Sequence, residues 1–124
     1  PFDRTLIYVA VVGPHAVTSR GSYTCPAGKK AFIEAIGVFT RRSTAATTEG
    51  LIIASASYTP QGGSTAYYAV VQWVSNTVNY HEGNIVGNAG ILRAGDNVAI
   101  NTGDGSTGGT AEYYIMLKIT EFDA

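Results

Sequence analysis

The chain has 124 residues, which is room for one domain with a proper core. Charged residues make up only 14% of it, against about 25% in typical soluble domains, so the helix-supporting Lys, Glu and Arg are scarce. A net charge of −1 with no long basic run excludes the clustered footprint that phosphate binding requires, and no stretch reaches the ~18 apolar residues of a membrane span.

In place of charge stand 15 Gly, 8 Tyr and many Ser and Thr, a composition for strands and turns. The first predicted strand is Thr5–Val12, stopped by Gly13-Pro14. Leu6, Tyr8, Ala10 and Val12 alternate with Ile7, Val9 and Val11, so both of its faces are apolar. A short strand follows over Ser22–Cys25, then a turn at Pro26-Ala27-Gly28-Lys29, where Pro presets φ and Gly accepts positive φ. Ala31–Thr40 is the third strand. Arg41–Gly50 is a polar loop, and its Arg41-Arg42 pair, like Lys29-Lys30, flanks a predicted turn as solvated charge. Leu51–Thr59 is the fourth strand, and Pro60-Gln61-Gly62-Gly63 turns the chain into Ala66–Ser75, again apolar on both faces. Val78–His81 is a short polar strand. Ile85–Arg93 is weakened as a strand by Gly87, Asn88 and Gly90. Val98–Thr102, a glycine-rich loop over Gly103–Thr110, and a long closing strand Glu112–Phe122 complete the chain. In that last strand Tyr113, Ile115, Leu117 and Ile119 share one face and Glu112, Tyr114, Met116, Lys118 and Thr120 the other.

Turns about every ten residues and no 3.6-residue stripe predict an all-β antiparallel sandwich, jelly-roll-like, of about eight strands in a single domain, 1–124. Strands apolar on both faces need an outer cover, which predicts assembly. The expected interface residues are Leu6, Tyr8, Val9 and Val11 on the first strand and Tyr67, Tyr68 and Trp73 on the fifth. Arg41, Arg42 and Asp104 are added from the end loops.

No motif carries recognisable chemistry. Gly103–Thr110 lacks the Lys and the following helix of a phosphate-binding loop. His15, His81, Asp96, Asp104 and Glu82 have no metal-ligand spacing, and no Gly-x-Ser-x-Gly elbow occurs. Cys25 stands alone and reads as a small buried apolar residue. Neither an enzyme nor a cofactor or metal site is expected. The aromatic set supports a rival reading, a carbohydrate- or receptor-binding module with Trp73 and one or more of Tyr58, Tyr67, Tyr68 and Tyr80 as a stacking platform.

Two stretches resemble a known class. Tyr23-Thr24-Cys25-Pro26-Ala27-Gly28-Lys29-Lys30 running into Ala31-Phe32-Ile33-Glu34-Ala35-Ile36 is one. The other is Ile91-Leu92-Arg93-Ala94-Gly95-Asp96-Asn97-Val98-Ala99-Ile100, followed by the terminal Tyr114–Phe122. Together, about a third of the chain, they resemble structural proteins of tailed bacteriophages with a jelly-roll or tumour-necrosis-factor-like sandwich: head decoration proteins and tips of head or tail fibres. The resemblance implies a homotrimer without cofactor, and it supplies no catalytic residues. The expected role is a virion structural protein, a decoration or cement protein that partners the major capsid protein or another virion protein. It would be made in the host cytoplasm and would contact neither nucleic acid nor membrane directly.

Overall fold

The computed structural model describes residues 2–13, 17–48, 50–74 and 81–124. Eight strands run through them: β1 (Phe2–Gly13), β2 (Thr18–Thr24), β3 (Lys29–Thr44), β4 (Leu51–Thr59), β5 (Ala66–Val74), β6 (His81–Arg93), β7 (Asn97–Asp104) and β8 (Thr110–Asp123). They form two four-stranded antiparallel sheets, ordered β1-β8-β3-β6 and β2-β7-β4-β5. Only the β4–β5 turn is a hairpin within one sheet; every other connection crosses from one sheet to the other. That wrapping is the jelly roll, and it closes an all-β sandwich as the turn spacing predicts.

The core follows from alternation. Tyr113, Ile115, Leu117 and Ile119 of β8 are all buried, as their shared face requires. They meet Ile52 and Ala54 of β4, Val71 and Trp73 of β5, and Val98 and Ile100 of β7 from the opposite sheet. In β3 the inward set is Ala31 and Ile33, then Ile36, Val38, Thr40 and Arg42. The step in parity is a bulge at Glu34, where pairing to both β6 and β8 shifts register. β5 has a similar irregularity: its pairing steps from Ala54↔Val71 to Ser55↔Ala69, and the extra residue Val70 is buried beside Val71.

Several strands run further than the sequence pattern suggests. β3 continues through Arg41–Thr44, and β7 takes in Gly103 and Asp104, so the polar loop and the glycine-rich loop each begin later than expected. The physical reason is a buried ion pair: Arg42 and Asp104 meet inside the sandwich through both guanidinium Nη atoms, with only Arg42 Nε left without a partner among the described residues, and a strand can then carry charge on its inner face. Ile85–Arg93 is a full strand despite its glycines and begins at His81. The polar strand expected over Val78–His81 lies outside the described residues, apart from His81.

Candidate interaction surfaces

Four of the expected interface residues, Leu6, Tyr8, Val9 and Val11, stand in β1 opposite Lys118, Met116, Ile115 and Tyr113 of β8. Their side chains lie outside the described residues, as do His15 and Tyr80.

Arg42 and Asp104 are not surface residues; this corrects their assignment to solvated end loops. Arg42 is 0% exposed and Asp104 nearly so. Arg42 Nη1 and Nη2 donate to the two carboxylate oxygens of Asp104 at 2.9 and 3.2 Å, and Nη2 also donates to Ser106 Oγ at 3.1 Å. The Ser106 backbone N–H and hydroxyl donate to Asp104 Oδ1 at 3.0 and 2.5 Å. Burial alone would raise the Asp104 carboxyl, but the hydrogen bonds from Arg42 and Ser106 outweigh it and hold it below its ordinary value.

Trp73 is likewise internal, at 7% exposure, and its indole N–H donates to Thr40 Oγ1 at 2.6 Å. Thr40 in turn donates to the Glu82 carbonyl at 3.0 Å, so one short chain of bonds ties β5 to β3 and β6 across the sandwich. A sugar platform centred on Trp73 is therefore ruled out by its burial.

Asp96, one of the acids with catalytic potential in the sequence, is a structural hub. Its carboxylate accepts from the backbone N–H of Gln61 and Arg93, both at 2.9 Å, and from the Tyr58 hydroxyl at 3.2 Å. Those backbone donors and the Tyr58 hydroxyl hold it below its usual range against the opposing effect of burial. Cys25 is buried, and burial pushes its thiol up, away from nucleophilic thiolate character. Among the described residues no cluster of three or more His, Cys, Asp or Glu is placed to hold a metal ion.

Besides Val17 and the cross-strand pair Leu51 and Val74, the large apolar side chains left exposed among the described residues gather in two places. The first is the outer face of the β1-β8-β3-β6 sheet. Phe39 and Ile85 are 48% and 55% exposed there, with Met116 and Tyr114 half-buried beside them. Gly37 makes the patch possible: a Cβ at that position would lie 3.2 Å from Met116 Cε and 3.5 Å from Ile85 Cγ1, so the two side chains converge over bare backbone. Phe39 lies over Gly83 in the same way. Ion pairs flank the patch: Arg41 with Glu112 at 2.7 Å, and Lys118 with Glu34 at 4.0 Å. An apolar centre with a charged rim is the anatomy of a protein interface. Arg41 thus belongs to a candidate surface, unlike its neighbour Arg42. The sequence reading missed Phe39 and Ile85, although the alternation Phe39–Gly37 against the buried Val38 and Thr40 marks the outward parity.

The second place is the open edge between β5 and β6. Tyr67 and Tyr68 are 74% and 57% exposed, with Tyr67 opposite Ser57 and Tyr68 opposite the buried Ala56. Asn84 Nδ2 bonds the Val70 carbonyl at 2.9 Å, which together with the Trp73–Thr40 bond pins the two sheets at one end. Beyond that point the sheets part around a cleft of about 500 Å³. The Val70 bulge and the irregular β6 segment Gly87–Gly90, where Gly90 takes φ 135°, bend the two edge strands as bulges do.

Neither a protein-family model nor a curated protein matches the sequence. In fold, the chain is similar over 96% of its length to part of a chain in the structure of infectious bursal disease virus Gt strain, with 13% identity and a TM-score of 0.45. The Gx strain of the same virus gives a similarity over 100% of the chain, with 12% identity and a TM-score of 0.46. The chain spans 30% and 32% of those two viral chains. The N-terminal endo-1,4-β-D-xylanase 10B of Clostridium thermocellum, as CBM22-1–GH10 modules complexed with xylohexaose, is similar over 87% of this chain and 19% of its own, at 11% identity and a TM-score of 0.35. At such scores and identities these likenesses decide nothing about function, and the chain's own surfaces must carry that reading.

Proposed function

We propose that this chain is a structural protein of a virus particle, a decoration or cement subunit that binds an assembled capsid lattice, and that it acts as a homotrimer. The observation that carries the reading is the outer face of the β1-β8-β3-β6 sheet. Phe39, Ile85, Met116 and Tyr114 leave an apolar centre open to solvent, and Arg41–Glu112 and Lys118–Glu34 rim it. A sheet that ended in solvent would alternate to polar residues on that face. A subunit that binds the assembled lattice and not its free components stabilises the lattice by mass action. The resemblance of the Tyr23–Ile36, Ile91–Ile100 and Tyr114–Phe122 stretches to tailed-bacteriophage structural proteins agrees with it, and the jelly-roll strand order is the fold that resemblance implies.

The exposed Tyr67 and Tyr68 support a second reading, a receptor- or glycan-binding tip on an appendage. Electron microscopy of intact particles with a labelled chain separates the two. Density on the head surface supports the decoration role, density on a fibre or tail supports the tip, and particles without the chain reject both.

A further inference from the structure

We propose that the cleft between β5 and β6 is a binding site for a single-chain fatty acid, with the aliphatic tail between the sheets and the carboxylate at Arg93. The inference goes beyond the virion reading and does not depend on it.

The cleft is not a surface dimple. It reaches the core residues Ile33, Ile36, Leu92 and Val98, and its volume of about 500 Å³ lies within the ~300–1,000 Å³ of ordinary ligand pockets. Protein interiors are close-packed, so a gap of this size between two sheets is a place where side chains have left room. The small Ala56 and Gly90 supply that room. No charged residue lines this cleft, so the part of a ligand held there is apolar.

A polar hollow of about 430 Å³ adjoins it and shares Tyr58 and Ile91 as common walls. Arg93, Gln61 and Asp96 line the hollow. The two charges in it are not equivalent. Asp96 is spent on three donors, the N–H groups of Gln61 and Arg93 and the Tyr58 hydroxyl. The Arg93 side chain is exposed and forms no ion pair among the described residues. A neutral slot that opens beside an exposed guanidinium without an ion-pair partner among the described residues, its charge offset in part by the nearby hydrogen-bonded Asp96, fits an aliphatic chain ending in a carboxylate, which arginine binds through paired N–H donors.

The test uses the full chain, stripped of bound lipid, titrated calorimetrically with dodecanoate, dodecan-1-ol and dodecylamine below their micelle-forming concentrations. Dodecanoate is expected to bind saturably, the alcohol about tenfold more weakly, as for loss of one charge-assisted contact, and the amine more weakly still. Arg93→Gln should bring the acid to the affinity of the alcohol. Ala66→Trp, at an exposed residue lining the cleft, should abolish both without changing circular dichroism or the thermal midpoint. Ile91→Asp, at a position 63% exposed, is the second blocking variant should the first misfold. The proposal is overturned if dodecanoate does not bind, if the amine binds as tightly as the acid, or if folded blocking variants bind as the parent does. Self-association abolished by Ala66→Trp without any dodecanoate binding would assign the cleft to a second copy and also overturn it.

Discussion

Arg42 and Asp104 join the two sheets through a two-pronged ion pair inside the core, β3 on one side and β7 on the other, at 2.9 and 3.2 Å. Charges taken out of water are costly, and their attraction offsets that cost only when the geometry is good and the remaining donors and acceptors are filled. Ser106 fills much of that requirement, accepting from Arg42 and donating twice to Asp104. Asp104→Ala should therefore destabilise the fold by about 3–5 kcal/mol in urea unfolding, because Arg42 is left buried without its counter-charge. The double replacement Arg42→Met with Asp104→Leu should cost much less than the single one, since no unpaired charge remains.

The same pair sets an acid limit. The Asp104 carboxyl is held below its ordinary value of 3.8 in the folded chain, so the unfolded chain binds the proton more readily. Its stabilising contribution is fully present above pH ~4 and is lost as the pH falls through the lowered folded value. Urea midpoints measured between pH 7 and pH 2 should decline below that point. The decline should be shallower in the Arg42→Met/Asp104→Leu double variant.

An alkaline limit comes from two buried tyrosines. Burial and the nearby Asp104 charge push the Tyr113 phenol up to about 12. Burial, with the hydrogen bond to Glu121, raises Tyr23 as well. Here the folded state keeps protons that the unfolded state gives up, so the contribution is intact below the unfolded value of about 10 and is lost as the pH rises above it. Thermal midpoints should fall from about pH 10 upward. Tyr113→Phe should flatten part of that fall while costing about 1 kcal/mol at neutral pH, through loss of its bond to the Gly103 carbonyl.

The course of the fold was readable because strand periodicity and turn chemistry are local. β8 shows it best: Tyr113, Ile115, Leu117 and Ile119 alternate without interruption and all four are buried. Cys25 lies where the reading of a small buried apolar residue puts it, whereas Trp73, expected at an interface or in a sugar platform, is internal. The failures share a physical origin, which is that partners in space are not neighbours in sequence. Arg42 reads as a solvated charge beside a loop until Asp104, 62 residues later, is brought against it. Tyr67 and Tyr68, expected at an interface, stand exposed in the single chain, where the bulge at Val70 and the parting of the sheets carry that end of β5 away from the core. The apolar patch at Phe39 and Ile85 required knowing that β3 and β6 pair with Gly37 opposite Ile85.

Trp73 offers a direct check on the interior. Its indole is buried and bonded to Thr40, so emission should be blue-shifted and resistant to acrylamide. Trp73→Ala should destabilise the chain by about 3–5 kcal/mol, as truncation of large buried side chains does. Thr40→Val keeps the shape but leaves the indole N–H without its acceptor, and should cost about 1–3 kcal/mol.

The outer face of the β1-β8-β3-β6 sheet is where stability and association separate. Phe39 and Ile85 are about half exposed and contribute little to the core cluster, which lies on the opposite side of the sheet. Phe39→Lys with Ile85→Lys should thus shift the unfolding free energy by no more than about 1 kcal/mol, near the range of surface substitutions. The same change places two like charges in the apolar centre of the patch, inside the rim of Arg41–Glu112 and Lys118–Glu34. If this face is the assembly surface, those charges must be desolvated on docking, and association should weaken by at least about a hundredfold. Light scattering across a concentration series and sedimentation with purified particles measure both forms of association. A double variant that folds, trimerises and binds particles as the parent does would move the interface away from this face, toward the β5–β6 edge or the exposed Leu51–Val74 pair.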